Sequence, residues 1–337
     1  MLVKSKFKPA WWMRNRHLQT ILPRLYPTPC DFSPLDREFE LSDGDFVELT
    51  WSHSPESIAP NQPIVLVLHG LEGSFDSFYA KRMMNAMHRQ GWAAVLMHFR
   101  GCGKRPNKQA HSYHSGQTQD VFEFVQHLNR QYPGHLLFAV GFSLGGNVLA
   151  KYLGEQAESG LSGGVVISAP LDLSICANAI NRGFAKVYQK YLVDKLRRST
   201  STKINTYVGA FPIDITEAQL RDIATLTEFD ERITAPLNGF DNAQDYYRRA
   251  SANQYLAQCQ TPMLIVHAKD DPFMTQAVIP TDNMLSEAVT CEISERGGHV
   301  GFISGANPLK PEFWAETRSV QFIQRLIHQQ NQRQHEA

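Results

Sequence analysis

The sequence predicts an α/β fold: a mostly parallel, doubly wound sheet with an antiparallel N-terminal start and a helical insertion late in the chain. Two apolar runs without alternation, IVLVLHG at residues 64–70 and WAAVLMHF at 92–99, are typical of strands that are covered on both faces. Helical patterns alternate with such runs, which favours a parallel sheet. An alternating stretch at 37–52 precedes them and contains Asp43 and Gly44, a pair that suits a tight hairpin turn.

The predicted elements follow one another in regular order from residue 64 onwards. Val121, Phe124 and Leu128 lie three or four positions apart, which indicates one face of a helix. Gly91 suits the left-handed position that often follows a helix. The predicted strands are 37–52 (two antiparallel strands), 64–70, 92–99, 136–142, 163–170, 262–268 and 290–295. The predicted helices are 79–90, one around 121–128, one that starts just after Ser143, and a closing helix from about 316 to 328.

One interval breaks this alternation. About ninety residues separate Ser168 from Met263, far more than a usual connection. We therefore predict a single domain over residues 1–337, with 171–255 as a helical cap insertion above the strand ends, where open α/β sheets bind ligands. An apolar stripe of the cap is expected either to face the pocket or to pack only against other cap helices; its residues are Phe184, Val187, Tyr188, Tyr191 and Leu192.

Charge and composition exclude several classes of partner. Lys plus Arg equals Asp plus Glu at 33 each, which argues against a nucleic-acid partner and favours a small molecule. The five scattered cysteines form no CxxC pair, so we expect reduced thiols.

No apolar run reaches the roughly 18 residues of a spanning helix, so we expect no integral membrane segment and a cytoplasmic location. Trp11 and Trp12, beside basic residues, could instead make weak peripheral membrane contact or simply pack. The oligomeric state stays open.

A serine lies in a glycine-rich turn directly after one predicted strand. Ser143 follows the strand at 136–142 and precedes a helical pattern, with Gly141 and Gly145 on either side. In a strand-turn-helix unit, Gly-x-Ser-x-Gly lets strand and helix approach closely and projects the hydroxyl into the cleft. Elsewhere the same pattern indicates only a small-residue turn. Its position here favours Ser143 as a nucleophile.

A serine nucleophile needs a base and a group that orients the base. His299 follows the predicted strand at 290–295, and an acidic pair follows the strand at 262–268. The order serine, acid, histidine, each after its own strand, is typical of Ser-His-Asp hydrolases on a parallel sheet. We therefore predict that His299 is the base.

The acidic pair is Asp270 and Asp271. Neighbouring side chains on an extended segment point to opposite sides, so only one carboxylate can face the histidine. Pro272 favours extended geometry at Asp271, which we predict to be the acid. Asp270 takes that role if the register is off by one residue, and otherwise caps a backbone N–H in the turn.

Acyl transfer also requires donors for the oxyanion. The segment HGLEGS follows the strand at 64–70, and the backbone N–H groups of Leu71 and Leu144 are predicted to form the oxyanion hole. His69 is expected to order this loop through hydrogen bonds.

Together these motifs resemble the α/β-hydrolase superfamily and, more narrowly, AB hydrolase family 4 with its YheT-like esterases. The resemblance covers almost the whole chain and rests on NRHLQTILP, SDGDFVELTW, HGLEGS, HFRGCG, YHSGQTQD, GFSLGGN, DDPF and GGHVGF. It implies a carboxylesterase-type serine hydrolase without cofactor or metal, with relatives acting on medium-chain acyl esters or membrane lipids. It also supports Asp271, three residues after Ala268, as the acid. The expected substrate is a short to medium-chain acyl ester, cleaved through an acyl-enzyme.

Other motifs of the sequence have alternative interpretations. GCGK at 101–104 lacks the spacing of a phosphate loop and is better explained as a turn after a strand, with Arg100 bracing nearby loops. His111 and His114 lack partners at a metal-ligand spacing. Ser143, His299 and the acidic pair would equally serve an acyltransferase that uses an alcohol acceptor. A non-catalytic ligand-binding module is a third possible function.

Overall fold

A nine-stranded sheet forms the centre of the computed structural model, which describes residues 1–207 and 211–336. Its strands are β1 (Leu2–Lys4), β2 (Leu35–Glu40), β3 (Phe46–Trp51), β4 (Ile64–Leu68), β5 (Ala93–Met97), β6 (Leu137–Phe142), β7 (Gly163–Ile167), β8 (Met263–Ala268) and β9 (Val289–Ser294). The strand order is β1-β9-β8-β7-β6-β4-β5-β3-β2. In this order, the seven strands from β1 at one edge to β5 are all parallel to one another. Strand β3 pairs antiparallel with both β5 and β2. The predicted mostly parallel sheet with an antiparallel start is confirmed.

The helices cover both faces of this sheet. Successive side chains of β4 enter opposite layers: Leu66 belongs to one buried cluster, and Val65 and Val67 to the other. The helices are α1 (Arg16–Ile21), α2 (Phe78–Arg89), α3 (Gln119–Gln131), α4 (Leu144–Glu155), α5 (Leu173–Ile180), α6 (Ala185–Thr206), α7 (Glu217–Asp222), α8 (Leu226–Phe229), α9 (Ala235–Leu237), α10 (Ala243–Ala250) and α11 (Trp314–Glu336). A two-stranded sheet pairs β10 (Ile303–Ser304) with β11 (Glu312–Phe313).

The sequence did not indicate strand β1. Its three residues are too short for a periodic pattern, yet they pair in parallel with β9, with Leu2 opposite Cys291. Tertiary pairing therefore creates this strand at the sheet edge. The closing helix α11 is also longer at both ends than its apolar pattern indicated.

Helices α5 to α10 lie between β7 and β8, in the predicted insertion. They enclose apolar clusters of their own, one of which contains Val193, Ile223 and Phe229. A π-helical turn, Asp230–Thr234, joins α8 to α9. Residues 208–210, inside the predicted 171–255 boundaries, lie outside the described residues, as does Ala337; these domain boundaries stay a prediction.

Only three of the five residues of the expected apolar stripe of the cap line the cavity. Tyr188, Tyr191 and Leu192 line the cavity described below, but Phe184 and Val187 are more than half exposed. The pocket-facing expectation was wrong for these two residues, because Phe184, directly before α6, and Val187, within it, face solvent.

Candidate active site

Ser143 occupies a strained turn between β6 and α4. Its φ of 49° and ψ of −119° are rare for a residue with a Cβ. The backbone holds it there: Ser143 N–H donates to Ile167 O at 2.9 Å, and Asn147 N–H donates to Ser143 O at 3.0 Å. The side chain caps no helical N–H, so Oγ is free for another partner.

The flanking glycines allow this turn to form. A Cβ on Gly141 would lie 2.4 Å from Gly145 O, and a Cβ on Gly145 would lie 2.4 Å from His69 O. Real Cβ atoms do not approach oxygen that closely, so strand, helix and the loop after β4 can meet only with glycine at both positions.

His299 reaches Ser143 from the loop after β9. Its Nε2 lies 3.0 Å from Ser143 Oγ, and its Nδ1 lies 2.8 Å from Asp271 Oδ2. Asp271 and His299 are buried, whereas Ser143 is half-buried and reachable from the cavity. Phe273 stacks on the imidazole with a ring separation of 4.0 Å and an interplanar angle of 8°. The three polar side chains thus form one continuous hydrogen-bonded chain.

Asp270 has a different environment. Its Oδ1 accepts a hydrogen bond from Gly298 N–H at 3.0 Å. Burial raises the pKa of this carboxyl, and the Gly298 hydrogen bond opposes the rise. The structure therefore places Asp271 against His299 and places Asp270 in the adjoining turn.

The loop after β4 lies opposite Ser143. Leu71 and Leu144 line the same cavity as Ser143 and His299, and within the described residues neither backbone N–H donates a hydrogen bond. His69 orders this loop: Phe99 N–H donates to its Nε2 at 3.0 Å, so its Nδ1–H donates to Gly70 O at 2.7 Å. Burial lowers the pKa of His69 to about 3, so it stays neutral.

Glu72 continues this loop in a left-handed conformation, with a φ of 51°. Its backbone N–H donates to Tyr113 Oη at 2.8 Å, and Tyr113 donates back to Glu72 Oε1 at 2.9 Å. From the cap, Lys195 Nζ donates to Glu72 O at 3.1 Å, and Ser199 Oγ donates to Glu72 Oε2. Glu72 therefore connects the loop that carries Leu71 to helix α6.

A cavity of about 460 Å³ opens between this edge of the sheet and the cap. Apolar and aromatic side chains form most of its wall, a composition typical of small-molecule sites. Those from the cap include Ile180, Tyr188, Leu192, Phe229, Ile233 and Tyr247. Ser143 Oγ and His299 lie at one side of this apolar space.

Comparison with known proteins agrees with this architecture. A family model described as alpha/beta hydrolase fold matches residues 63–306. The chain is 43% identical over 315 residues to the Escherichia coli (strain K12) protein "Putative esterase YheT", which covers 93% of this chain and 92% of that protein. This chain belongs to the α/β hydrolase family.

Two further similarities extend the comparison. This α/β hydrolase is 29% identical over 247 residues to the monoacylglycerol lipase of Saccharomyces cerevisiae (strain ATCC 204508 / S288c), covering 72% of this chain and 55% of that protein. The structure of the Pyrococcus furiosus esterase Pf2001 superimposes with a TM-score of 0.55 and 16% identity, covering 87% and 93% of the two chains. The structural similarity supports the shared fold.

Sequence reasoning assigned no role to helix α1 of this α/β hydrolase, although NRHLQTILP contains it. Thr20 Oγ1 accepts a hydrogen bond from His299 N–H at 3.0 Å, and Gln19 Oε1 accepts one from Ile303 N–H at 2.7 Å. A Cβ on Gly301 would lie 1.9 Å from Gln19 O, so the helix packs directly on the histidine loop. Gln19 and Thr20 are both buried, a property that their sequence context does not indicate.

Arg100 braces the loops beside the site through buried ion pairs. It donates two hydrogen bonds to Asp120 at 2.7 and 2.8 Å, and its Nη1 lies 2.6 Å from Asp43 and 3.2 Å from Asp45. His111 Nε2 lies 2.8 Å from Arg100 Nη1 and therefore joins the same cluster.

Two global features of the α/β hydrolase concern metals and membranes. Across residues 1–207 and 211–336, no group of three or more His, Cys, Asp or Glu side chains is arranged to hold a metal ion. In the same part of the chain, none of the helices combines the length and hydropathy that crossing a membrane requires.

Proposed function

We propose that this α/β hydrolase cleaves carboxylic esters through a covalent acyl-enzyme on Ser143. One observation carries the proposal: the unbroken chain from Ser143 Oγ through His299 to Asp271, with separations of 3.0 and 2.8 Å, at the wall of an apolar cavity. The esterase and lipase names of its relatives support the same chemistry.

The proposed first step forms the acyl-enzyme. Ser143 Oγ attacks the ester carbonyl carbon while His299 Nε2 accepts the hydroxyl proton, and Asp271 stabilises the imidazolium that results. The carbonyl oxygen becomes an oxyanion that the N–H groups of Leu71 and Leu144 bind. The carbon–oxygen bond to the alcohol then breaks, and His299 returns the proton to the departing alcohol.

The second step repeats the first with water. His299 removes a proton from a water molecule, which attacks the acyl carbon, and Ser143 regains its proton as the carboxylic acid leaves. An alcohol in place of water would yield a new ester through the same groups. Quantifying acid and ester products in the presence of glycerol separates hydrolysis from acyl transfer.

The first test compares two serines at neighbouring strand ends. Ser143 and Ser168 both have a φ near 50°, but Ser168 Oγ accepts a hydrogen bond from Val300 N–H instead of meeting His299 Nε2. We expect Ser143→Ala to lose fluorophosphonate labelling and to lower kcat about 10⁴-fold or more, with little change in Tm. Ser168→Ala should keep its labelling. Activity of Ser143→Ala within tenfold of the wild type would contradict the proposal.

The second test concerns the acyl chain. The cavity volume and its apolar wall favour short to medium acyl groups, and Tyr188 lines it while the neighbouring Val187 is exposed. Across p-nitrophenyl esters from C2 to C16, Tyr188→Ala should shift the preferred length upwards, and Val187→Ala should leave the profile unchanged. Identical profiles for both variants would remove Tyr188 from the acyl site.

A further inference from the structure

The exposed apolar side chains of this α/β hydrolase are concentrated in one place. We define the mouth surface as residues 11–26, 182–191 and 306–310. Of nine large hydrophobic residues exposed in the described chain, eight lie in these three segments. They are Trp11, Leu18, Ile21, Leu25, Phe184, Val187, Tyr191 and Leu309. Single exposed hydrophobics are ordinary, but a cluster of this kind marks an interaction site.

Contacts between side chains join the three segments into one surface. His17 Nδ1 lies 3.0 Å from Tyr188 Oη, and the guanidinium of Arg24 lies 5.0 Å from the centre of the Tyr191 ring. On the other side, Trp11 Nε1 donates to the carbonyl of Ala306 at 3.2 Å. The segments are therefore continuous in space although they are distant in sequence.

This surface borders one opening of the cavity, whereas the exposed lining residues Lys104 and Arg105 lie at another part of its rim. Ile21 and Tyr191 both line the cavity and are about 40% exposed, at 40% and 42%, so they lie where it opens. Arg24 lines it as well. A substrate that enters by this opening must pass the mouth surface.

The surface has an excess of positive charge, although Lys190 is paired with Asp194 just outside it at 3.0 Å. The three segments contain seven Lys and Arg residues and no Asp or Glu, in a chain where the two classes are equal in number. These cations are Arg14, Arg16, Arg24, Arg182, Lys186, Lys190 and Lys310. Apolar side chains beside cations match the acyl boundary and the anionic headgroups of a bilayer. A symmetric contact between two copies would instead bring like charges together.

We propose that the mouth surface docks this protein on an anionic phospholipid bilayer, so that an acyl ester enters the cavity from the membrane plane. The inference rests on the proposed function of the cavity. Trp11 supplies one of the membrane contacts expected from the sequence. Trp12 does not, because it packs with Met13 and Phe313 in a buried cluster.

The test measures binding separately from catalysis. The full-length protein and its Ser143→Ala variant are centrifuged with vesicles of phosphatidylcholine and phosphatidylglycerol at 3:1, and with phosphatidylcholine alone. Both proteins should bind the anionic vesicles equally and at least about tenfold more tightly than the neutral ones. Equal, negligible binding to both vesicle types would overturn docking and leave the proposed ester chemistry intact.

Two double variants test the surface itself, and neither changes a residue that lines the cavity. Arg14→Glu with Lys186→Glu should weaken binding to anionic vesicles about tenfold or more. Arg130→Glu with Arg325→Glu, at exposed positions of α3 and α11 outside the surface, makes the same change in net charge and should bind like the wild type. Equal weakening by both pairs would mean that net charge alone governs binding, which contradicts a specific surface.

A third double variant tests the apolar contacts. Leu25→Glu with Phe184→Glu should weaken vesicle binding and slow cleavage of a vesicle-borne octanoyl ester about tenfold or more, while turnover of p-nitrophenyl acetate stays unchanged. If this variant instead turns a dimer into a monomer in light scattering and keeps its vesicle binding, the surface joins two copies and the proposal is wrong.

Discussion

The sheet edge that carries Ser143 and the cap above it are held in place by different interactions. At the sheet edge, backbone hydrogen bonds and glycine contacts position the turn: Ser143 N–H donates to Ile167 O, and Gly145 packs against His69 O. The cap is connected to the same edge through side chains. Lys203 Nζ donates to Ala110 O at 3.1 Å, where burial lowers its pKa to about 8.

This difference separates two properties of the site. Backbone contacts hold the Ser143 turn, whereas the His299 loop also donates backbone N–H groups to the side chains of Thr20 and Asp270. The cap, by contrast, sets the shape and the entrance of the cavity through a limited number of polar side-chain contacts. Substitutions at the sheet edge should therefore change rate by large factors, and substitutions in the cap should change rate, specificity and stability by smaller ones.

After the loss expected for Ser143→Ala, the next largest effect distinguishes the two adjacent aspartates of the sheet edge. Asp271→Asn should lower kcat about 10³- to 10⁴-fold, because the amide no longer holds the His299 tautomer. Asp270→Asn keeps an oxygen that can accept from Gly298 N–H and should cost less than about tenfold. Measuring kcat of both variants on one ester at pH 8 shows which aspartate orients His299. If Asp270→Asn is the nearly inactive variant, the two aspartates exchange roles.

An intermediate effect is expected where the two regions meet. Glu72→Ala removes the carboxylate that binds Tyr113 and Ser199, so the Leu71 N–H should lose its alignment. We expect kcat to fall about tenfold to hundredfold with a small change in KM, and Glu72→Gln to recover much of the loss. Asp76→Ala, an exposed acid in the same loop, is the control. A change in KM alone would show that Glu72 contacts substrate instead of positioning the loop.

The smallest effect concerns stability in the cap. Burial raises the pKa of Asp230 to about 6, against the hydrogen bonds from Tyr247 and Thr234. Because the folded pKa exceeds the unfolded one, the contribution of Asp230 to stability is greatest below about pH 4 and is lost as pH rises through about 6. Asp230→Asn should therefore raise Tm by a few degrees at pH 8 and hardly at pH 4.

The control for this prediction is Asp241→Asn, at an exposed position of the cap. Its Tm should follow the wild type at both pH values in thermal melts. An Asp230→Asn variant whose Tm differs from the wild type by the same amount at pH 4 and pH 8 would contradict the assigned titration.

The elements that the sequence predicts best are those with strong local patterns. The uninterrupted apolar runs of β4 to β8 indicate strands covered on both faces, and Gly141 and Gly145 mark the turn at Ser143. Strand β1 has no such pattern, because three residues become a strand only by pairing with β9. The orientation of α6 is equally hidden, since Val187 and Tyr188 are adjacent hydrophobic residues of which only Tyr188 lines the cavity.

The sequence by itself determined the alternation of strands and helices from β2 onwards and the positions of Ser143, His299 and the acidic pair at strand ends. These follow from local rules: periodicity, glycine in a close turn, and strand ends that meet at one sheet edge. The sequence favoured Asp271 over Asp270 and left the register open, and the tertiary structure places Asp271 against His299. Only the tertiary structure decided which cap residues line the cavity and that Gln19 and Thr20 support the histidine loop. Those outcomes depend on side-chain directions and on contacts between segments far apart in the chain, which no local pattern specifies.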